Sequence, residues 1–210
     1  MPRRSWTTRE KLIVALLGVP VALALITSGI APYDRGTWLL EVAPVLIAAP
    51  VIACTWRRFP LTSLLCVLIA LHAIVLIYGG AYTYARVPLG FWIQDALGLD
   101  RNPYDRLGHL MQGFVPAMVA REVLIRGRHV QGRWMLVFVC VCIPLAFSAF
   151  YELIEWGAAL VLGGGSTDFL GTQGDVWDAQ ADMFCALIGA VAALLTLSAV
   201  HDRQLRTLDQ

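Results

Sequence analysis

Three short stretches in the second half of the chain place ionisable residues at helical spacing. In Asp105-Arg106-Leu107-Gly108-His109-Leu110-Met111-Gln112, the residues Asp105, His109, Gln112 and Pro116 recur at i, i+4, i+7 and i+11, one face of a helix. Ser148, Glu152 and Glu155 share a face in Ser148-Ala149-Phe150-Tyr151-Glu152-Leu153-Ile154-Glu155-Trp156, and Asp175, Asp178 and Asp182 do so after Gln173-Gly174. One imidazole with several carboxylates is the ligand inventory of a Zn, Mn, Mg or Ca site. His109, Glu152, Asp178 and Asp182 are the expected ligands of a divalent metal ion, with Asp105, Arg106, Gln112, Gln173 and Asp175 in support. Such an ion would polarise a phosphoryl or acyl oxygen and activate water. Glu152, Glu155 and His109 are then the candidate catalytic groups, with Glu155 placed to act as general base. A fixed zinc signature such as H-E-x-x-H is lacking, so the pattern does not select the metal.

The elements that must position these residues are six apolar blocks, near Leu12–Ala31, Trp38–Thr55, Leu61–Tyr82, Leu107–Leu124, Met135–Leu162 and Met183–Val200. Most exceed the roughly 17 residues that cross a hydrocarbon core of ~30 Å as a helix. With 58% hydrophobic and only 15% charged residues, a water-soluble fold of this length could not bury its apolar surface. The expected architecture is all-α: a polytopic membrane protein with a six-helix transmembrane bundle, one domain over residues 1–210, its polar cluster supplied by residues 101–182.

Orientation follows from the loops. Arg3, Arg4, Arg9, Lys11, Arg57, Arg58, Arg121, Arg126, Arg128, Arg133, Arg203 and Arg206 fall on one side, which is 12 of the 16 basic residues. Short basic loops stay cytoplasmic, so both termini are expected inside. The carboxylates run the other way: only Glu10, Glu122, Asp202 and Asp209 fall on the basic side, leaving 11 of 15 at or near the opposite face. The net charge of +1 conceals this polarity and argues against a nucleic-acid partner. Membrane lipids are the expected surroundings. The basic N-terminus precedes an apolar run too long for a signal peptide, so it reads as a retained first helix.

The five cysteines (Cys54, Cys66, Cys140, Cys142 and Cys185) lie inside apolar blocks and read as packing residues. Pro20, Pro44 and Pro50 are expected kinks. Glu41 and His72 are the only ionisable residues within the first three blocks, and His72 reads as a neutral bundle residue. Asp105 and Asp178 also suit helix N-caps, and Glu152 with His109 suits a structural pair locking two helices. The aromatic residues Trp92, Trp156, Trp177, Tyr82, Tyr84 and Tyr104 suit an interfacial belt. Pro88–Leu97 suits a short helix lying on the membrane surface, and the glycines of Gly163–Ser166 and Gly171–Gly174 a turn or a lid.

In Arg101-Asn102-Pro103-Tyr104-Asp105-Arg106-Leu107-Gly108-His109, in Tyr151-Glu152-Leu153-Ile154-Glu155-Trp156 and in Gly171–Met183, the chain resembles the YjdF-like family of bacterial inner-membrane proteins. That resemblance implies the inner membrane and carries no biochemical activity. A more distant similarity links it to VanZ-like membrane proteins, associated with glycopeptide-antibiotic tolerance. Their Asp-Lys-x-x-His helix opening matches Asp105-Arg106-Leu107-Gly108-His109 with Arg for Lys. Their Asp-x-x-x-Asn helix start matches Asp178–Asp182 except that Asp182 replaces Asn. Three roles fit these observations: a metal-dependent membrane enzyme acting on a lipid or lipid-linked envelope substrate, a non-catalytic envelope scaffold or tolerance factor, and a small proton- or cation-coupled carrier.

The topology has a direct check. In a background without native cysteines, cysteines at Ser166 and Arg128 are expected to react with an impermeant reagent from opposite sides of the membrane; labelling from one side refutes the topology.

Overall fold

The computed structural model describes residues 7–162 and 173–208, and no strand occurs among them. Arg3, Arg4, Asp168, the Gly163–Ser166 run and Gly171–Thr172 lie outside the described residues. The helices are α1 (Thr8–Ile13), α2 (Val19–Ile30), α3 (Arg35–Thr55), α4 (Ser63–Tyr82), α5 (Pro88–Leu97), α6 (Tyr104–Arg126), α7 (Arg133–Leu162) and α8 (Asp178–Leu208).

A π-helical turn, Val14–Gly18, joins α1 to α2, and the Val19 N–H reaches back five residues to the Val14 carbonyl. The turn precedes Pro20, whose ring excludes the ordinary bond to residue 16; widening the preceding turn accommodates it. Pro44 and Pro50 leave α3 continuous, as Pro116 does α6 and Pro144 does α7. Side-chain caps start several helices. Thr7 and Glu10 form a reciprocal capping box on α1, and Thr62 accepts from the Leu65 N–H at the start of α4. Asp34 accepts from Thr37 before α3, and that bond holds its carboxyl below the ordinary range.

Among the described residues, five helical segments are long and apolar enough to cross a membrane: Thr8–Ile30, Arg35–Thr55, Ser63–Tyr82, Arg133–Val161 and Asp178–Leu208. Helix α6 is not apolar enough to join them, although its 23 residues span roughly 35 Å. It is instead the bundle's most buried helix. It packs most extensively on α8, then on α7 and α4, while α4 also packs on α3 and α2. Leu65 and Leu68 of α4, Val115 and Met118 of α6 and Ala193 of α8 form the central apolar cluster. A second cluster, Val42, Val45, Ala73 and Ile77, joins α3 to α4. Helices α1 and α2 bury no residue, and large side chains such as Ile26 and Leu195 face outward, as lipid contact requires. The helix expected over Pro88–Leu97 is present as α5.

Helices α6 and α8 run parallel from a shared end, and their approach is set by glycine. A Cβ on Gly113 would lie 1.9 Å from the Ala186 carbonyl oxygen, and one on Gly189 2.0 Å from that of Leu110. Ala117, Ala186, Ala190 and Ala193 complete this buried small-residue seam. Association of helices in lipid relies on such close packing because the surrounding tails are equally apolar.

Gly113→Ala is therefore expected to destabilise the protein by about 1–3 kcal/mol through overpacking. Gly157→Ala, on α7 with open space at its Cβ position, is expected to be neutral or slightly stabilising. Melting of both variants in detergent compares them; equal melting would show that the seam tolerates separation.

Candidate buried histidine–carboxylate centre

The first turns of α6 and α8 bring their polar residues together, and α7, running in the opposite direction, supplies a third set. His109 lies at the centre. Its Nε2 is 3.5 Å from Glu152 Oε1 and 3.8 Å from Asp105 Oδ1, while its Nδ1 faces Ser148 Oγ at 3.5 Å. Among the described residues, two groups that could hold a metal ion share this imidazole: Asp105, His109 and Asp182 form one, and His109, Glu152 and Glu155 the other. Within each group one ligand atom per residue lies within 4.8 Å of the others. Asp105, His109, Glu155 and Asp182 are buried and Glu152 is nearly so.

The carboxylates outnumber the donors within this volume. Asp182 is 1% exposed, yet its Oδ1 has no hydrogen-bond partner, and neither do Glu152 Oε1 and Gln112 Oε1. A buried acceptor without a donor costs on the order of 1–3 kcal/mol, more when charged. One cation liganded by these oxygens would remove that cost.

Two arginines form a separate outer tier. Arg101 donates to Asp178 and lies 3.6 Å from Asp175 and 3.8 Å from Asp105. Burial opposes the Arg101 charge, but the bond to Asp178 and its negative charge hold the guanidinium protonated above its ordinary range. Arg106 donates to Asp175 at 2.7 Å. Asp178, expected among the metal ligands, is thus engaged by Arg101, and Asp105 and Glu155 complete the ligand groups in its place. The reading of Asp105 as an N-cap is corrected: Pro103 occupies that position, and Asp105 lies buried in the first turn. Asp178 is the first residue of α8 and its carboxylate is turned to Arg101.

Gln173 clamps the loop before α8 to the loop before α6. Its Oε1 accepts from the Asn102 N–H and its Nε2 donates to the Asn102 carbonyl, both at 3.0 Å. Asn102, fully buried, donates through Nδ2 to Val87 O and accepts from the Tyr104 N–H. Gly90 has to be glycine here, because a Cβ would fall 1.7 Å from Asn102 Oδ1.

Two buried groups escaped the spacing patterns. Glu41 of α3 accepts from Tyr151 Oη at 3.1 Å, which ties α3 to the edge of the centre. The only signal for it was a lone carboxylate in an apolar block. At the other end of the bundle, Glu122 and His201 are both fully buried. Glu122 accepts from Thr62 N and Oγ1, from Arg126 at 2.8 Å and from His201 Nε2 at 2.9 Å. Arg121 faces His201 Nδ1 at 2.9 Å and donates to Asp202 at 2.6 Å. Since an arginine can only donate, Nδ1 is the acceptor and Nε2 carries the proton given to Glu122. Each group is satisfied, so this network is a clamp joining α4, α6 and α8.

A bundle of long apolar helices enclosing an ionisable centre defines a polytopic α-helical membrane protein. Over residues 13–203 the chain matches the family described as Predicted membrane protein (DUF2238), and it belongs to that family. It is similar to the Inner membrane protein YjdF of Escherichia coli (strain K12), 56% identical over 199 residues that cover 95% of each chain. No solved structure matches it. The protein is a multi-pass protein of the inner membrane, as its YjdF-like strings led us to expect.

Glu122→Ala removes the acceptor from His201, Arg126 and Thr62 at once. Breaking a buried pair from one side is expected to cost about 3–5 kcal/mol. A melting temperature like that of wild type would show that the clamp contributes nothing.

Proposed function

We propose that the protein binds a divalent metal ion at the His109 centre and uses it for hydrolysis or group transfer on a lipid or lipid-linked envelope substrate. Its six spans would include α6, with the termini cytoplasmic and the centre near the outer face, as the basic asymmetry of the loops supports. The observation that carries the reading is the pair of ligand groups sharing one buried imidazole, with Asp182 Oδ1 and Glu152 Oε1 making no hydrogen bond.

The donor set, one imidazole with carboxylates from three helices, suits a borderline or hard divalent ion. His109, Asp105, Asp182 and Glu152 are the proposed ligands. Glu155 borders the same imidazole from one turn further along α7 and is the candidate base for a bound water. Ser148 beside Nδ1 would orient the ring, as hydrogen-bonded groups behind ligating histidines do. The bound ion would supply Lewis acidity and a water of lowered pKa.

A carrier is the less favoured role. From Asp182 to His201 the α8 axis rises roughly 28 Å. The interval holds the Gly113–Gly189 seam, whose backbones are in contact. A relay between the two polar ends would need a break in that packing.

The test compares wild type with Glu152→Gln in detergent, each melted with added divalent metal and with chelator. A ligand that binds only the folded state stabilises by about 2.7 kcal/mol at 100 times its Kd. Wild type is expected to gain stability with metal and lose it with chelator, while Glu152→Gln folds but shows a much smaller metal response. Metal-free wild type indifferent to both additions would refute the metal reading and leave the scaffold and carrier roles.

A further inference from the structure

Asp175 occupies an unusual position in the outer tier. Its Oδ2 lies 2.7 Å from Arg106 Nη2 and 3.6 Å from Arg101 Nη1, so one carboxylate is shared between two guanidinium groups. Its Oδ1 accepts from the Trp177 N–H at 2.9 Å, which ties the carboxylate to its own short loop. That loop is delivered by two successive residues in the left-handed region, Gln173 at φ +46° and Gly174 at φ +89°. Gln173 pays a steric cost there that glycine would not, and the Asn102 clamp holds it in place.

Arg106 is not exhausted by this contact. Its Nε is buried and has no hydrogen-bond partner. Its side chain is also the more open of the two, 38% exposed against 11% for Arg101. Paired guanidinium groups present forked donors that match the oxygens of a phosphate better than a single carboxylate does. Val176 and Trp177, beside Asp175, are largely exposed apolar residues. They suit a position at the boundary between headgroups and tails.

We propose that Arg101 and Arg106 form a binding site for a phosphate oxyanion, the charged group of the substrate, and that Asp175 is an internal surrogate which the phosphate displaces. In naming the substrate's charged group, this inference rests on the reading of the neighbouring inner carboxylates as a cation site. The two sites are complementary: the inner carboxylates without donors would repel a phosphate unless a divalent ion neutralised them, and the arginines would bind the phosphate beside that ion. Asp175 keeps Arg106 paired when no phosphate is present, while Arg101 keeps its bond to Asp178 whether or not Asp175 is displaced. An internal competitor lowers apparent affinity by the fraction of time it holds the site.

The experiment uses the full chain in phosphatidylcholine nanodiscs with divalent metal present. Inorganic phosphate is titrated in one arm, and phosphatidic acid replaces part of the lipid in the other, with melting temperature as the readout. Asp175→Asn is expected to bind phosphate about tenfold more tightly than wild type, and Arg106→Gln about tenfold more weakly. Asp95→Asn, an acidic change on α5, controls for a general loss of negative charge. Response to phosphatidic acid alone assigns the site to a lipid headgroup; response to inorganic phosphate assigns it to a free or detachable phosphate.

The proposal is overturned if Arg106→Gln binds as wild type does, or if Asp175→Asn gains no more than Asp95→Asn. The metal reading is scored separately, from the melting shift with metal and chelator in the absence of phosphate. A metal shift without a phosphate response overturns this inference alone, whereas an arginine-dependent phosphate response without a metal shift overturns the metal reading alone.

Discussion

The close approach of α6 to α8 governs the positions of most buried charges among the described residues. At Gly113 and Gly189 the facing backbones leave no room for a methyl group. The two helices run parallel, so one contact near their middle superimposes both pairs of ends. Asp105 and His109 meet Asp182 at one end, and Arg121 and Glu122 meet His201 and Asp202 at the other. Ordinary helix pairs lie 8–10 Å apart, and the small residues hold this pair close enough for short aspartate side chains to reach across. Hydrophobic burial gives little drive for such an approach in lipid, and packing of small residues supplies it instead.

The two ends then differ in how their charges are satisfied. At the basic end, Thr62, Arg126 and His201 donate to Glu122, while Arg121 donates to Asp202 and faces the remaining nitrogen of His201. That circuit is closed and holds three helices together. At the acidic end, Asp182 and Glu152 retain oxygens without hydrogen bonds although Asp182 is buried and Glu152 nearly so. The same sequence therefore builds one complete polar network and one incomplete one, about a membrane thickness apart.

Much of this was legible in the sequence, and the limits have a physical pattern. Helical spacing identified the faces carrying Asp105 and His109, Glu152 and Glu155, and Asp178 and Asp182, because a period of 3.6 is a local property. It could not say which partner each face would meet. Asp178 was expected to join the ligands and instead engages Arg101, 77 residues away. Glu122 with His201 and Glu41 with Tyr151 pair across 79 and 110 residues, beyond any local signal. Cap chemistry misled at Asp105 for a related reason: Pro103 starts the helix and leaves the aspartate in its buried first turn. Helix α6 itself was recognisable by its pattern, although its composition is too polar to mark it as a membrane span.

The division of positive charge bears most on function. Among the described residues, Arg101 and Arg106 contact the acidic end, donating to Asp178 and Asp175 at its rim. Among the described residues, the inner carboxylate paired with a guanidinium is Asp105, 3.8 Å from Arg101. Had the cluster served only to lock helices, the cheapest arrangement would set an arginine among Asp105, Glu152, Glu155 and Asp182, as Arg126 is set against Glu122. Four ionised carboxylates packed around one imidazole repel one another strongly, and burial adds to that cost. A site of this kind is relieved by protonation of its carboxylates or by a bound cation. Arg101 and Arg106 meanwhile pair with Asp178 and Asp175, so positive charge at this end is concentrated at the rim and the inner carboxylates are left to one imidazole.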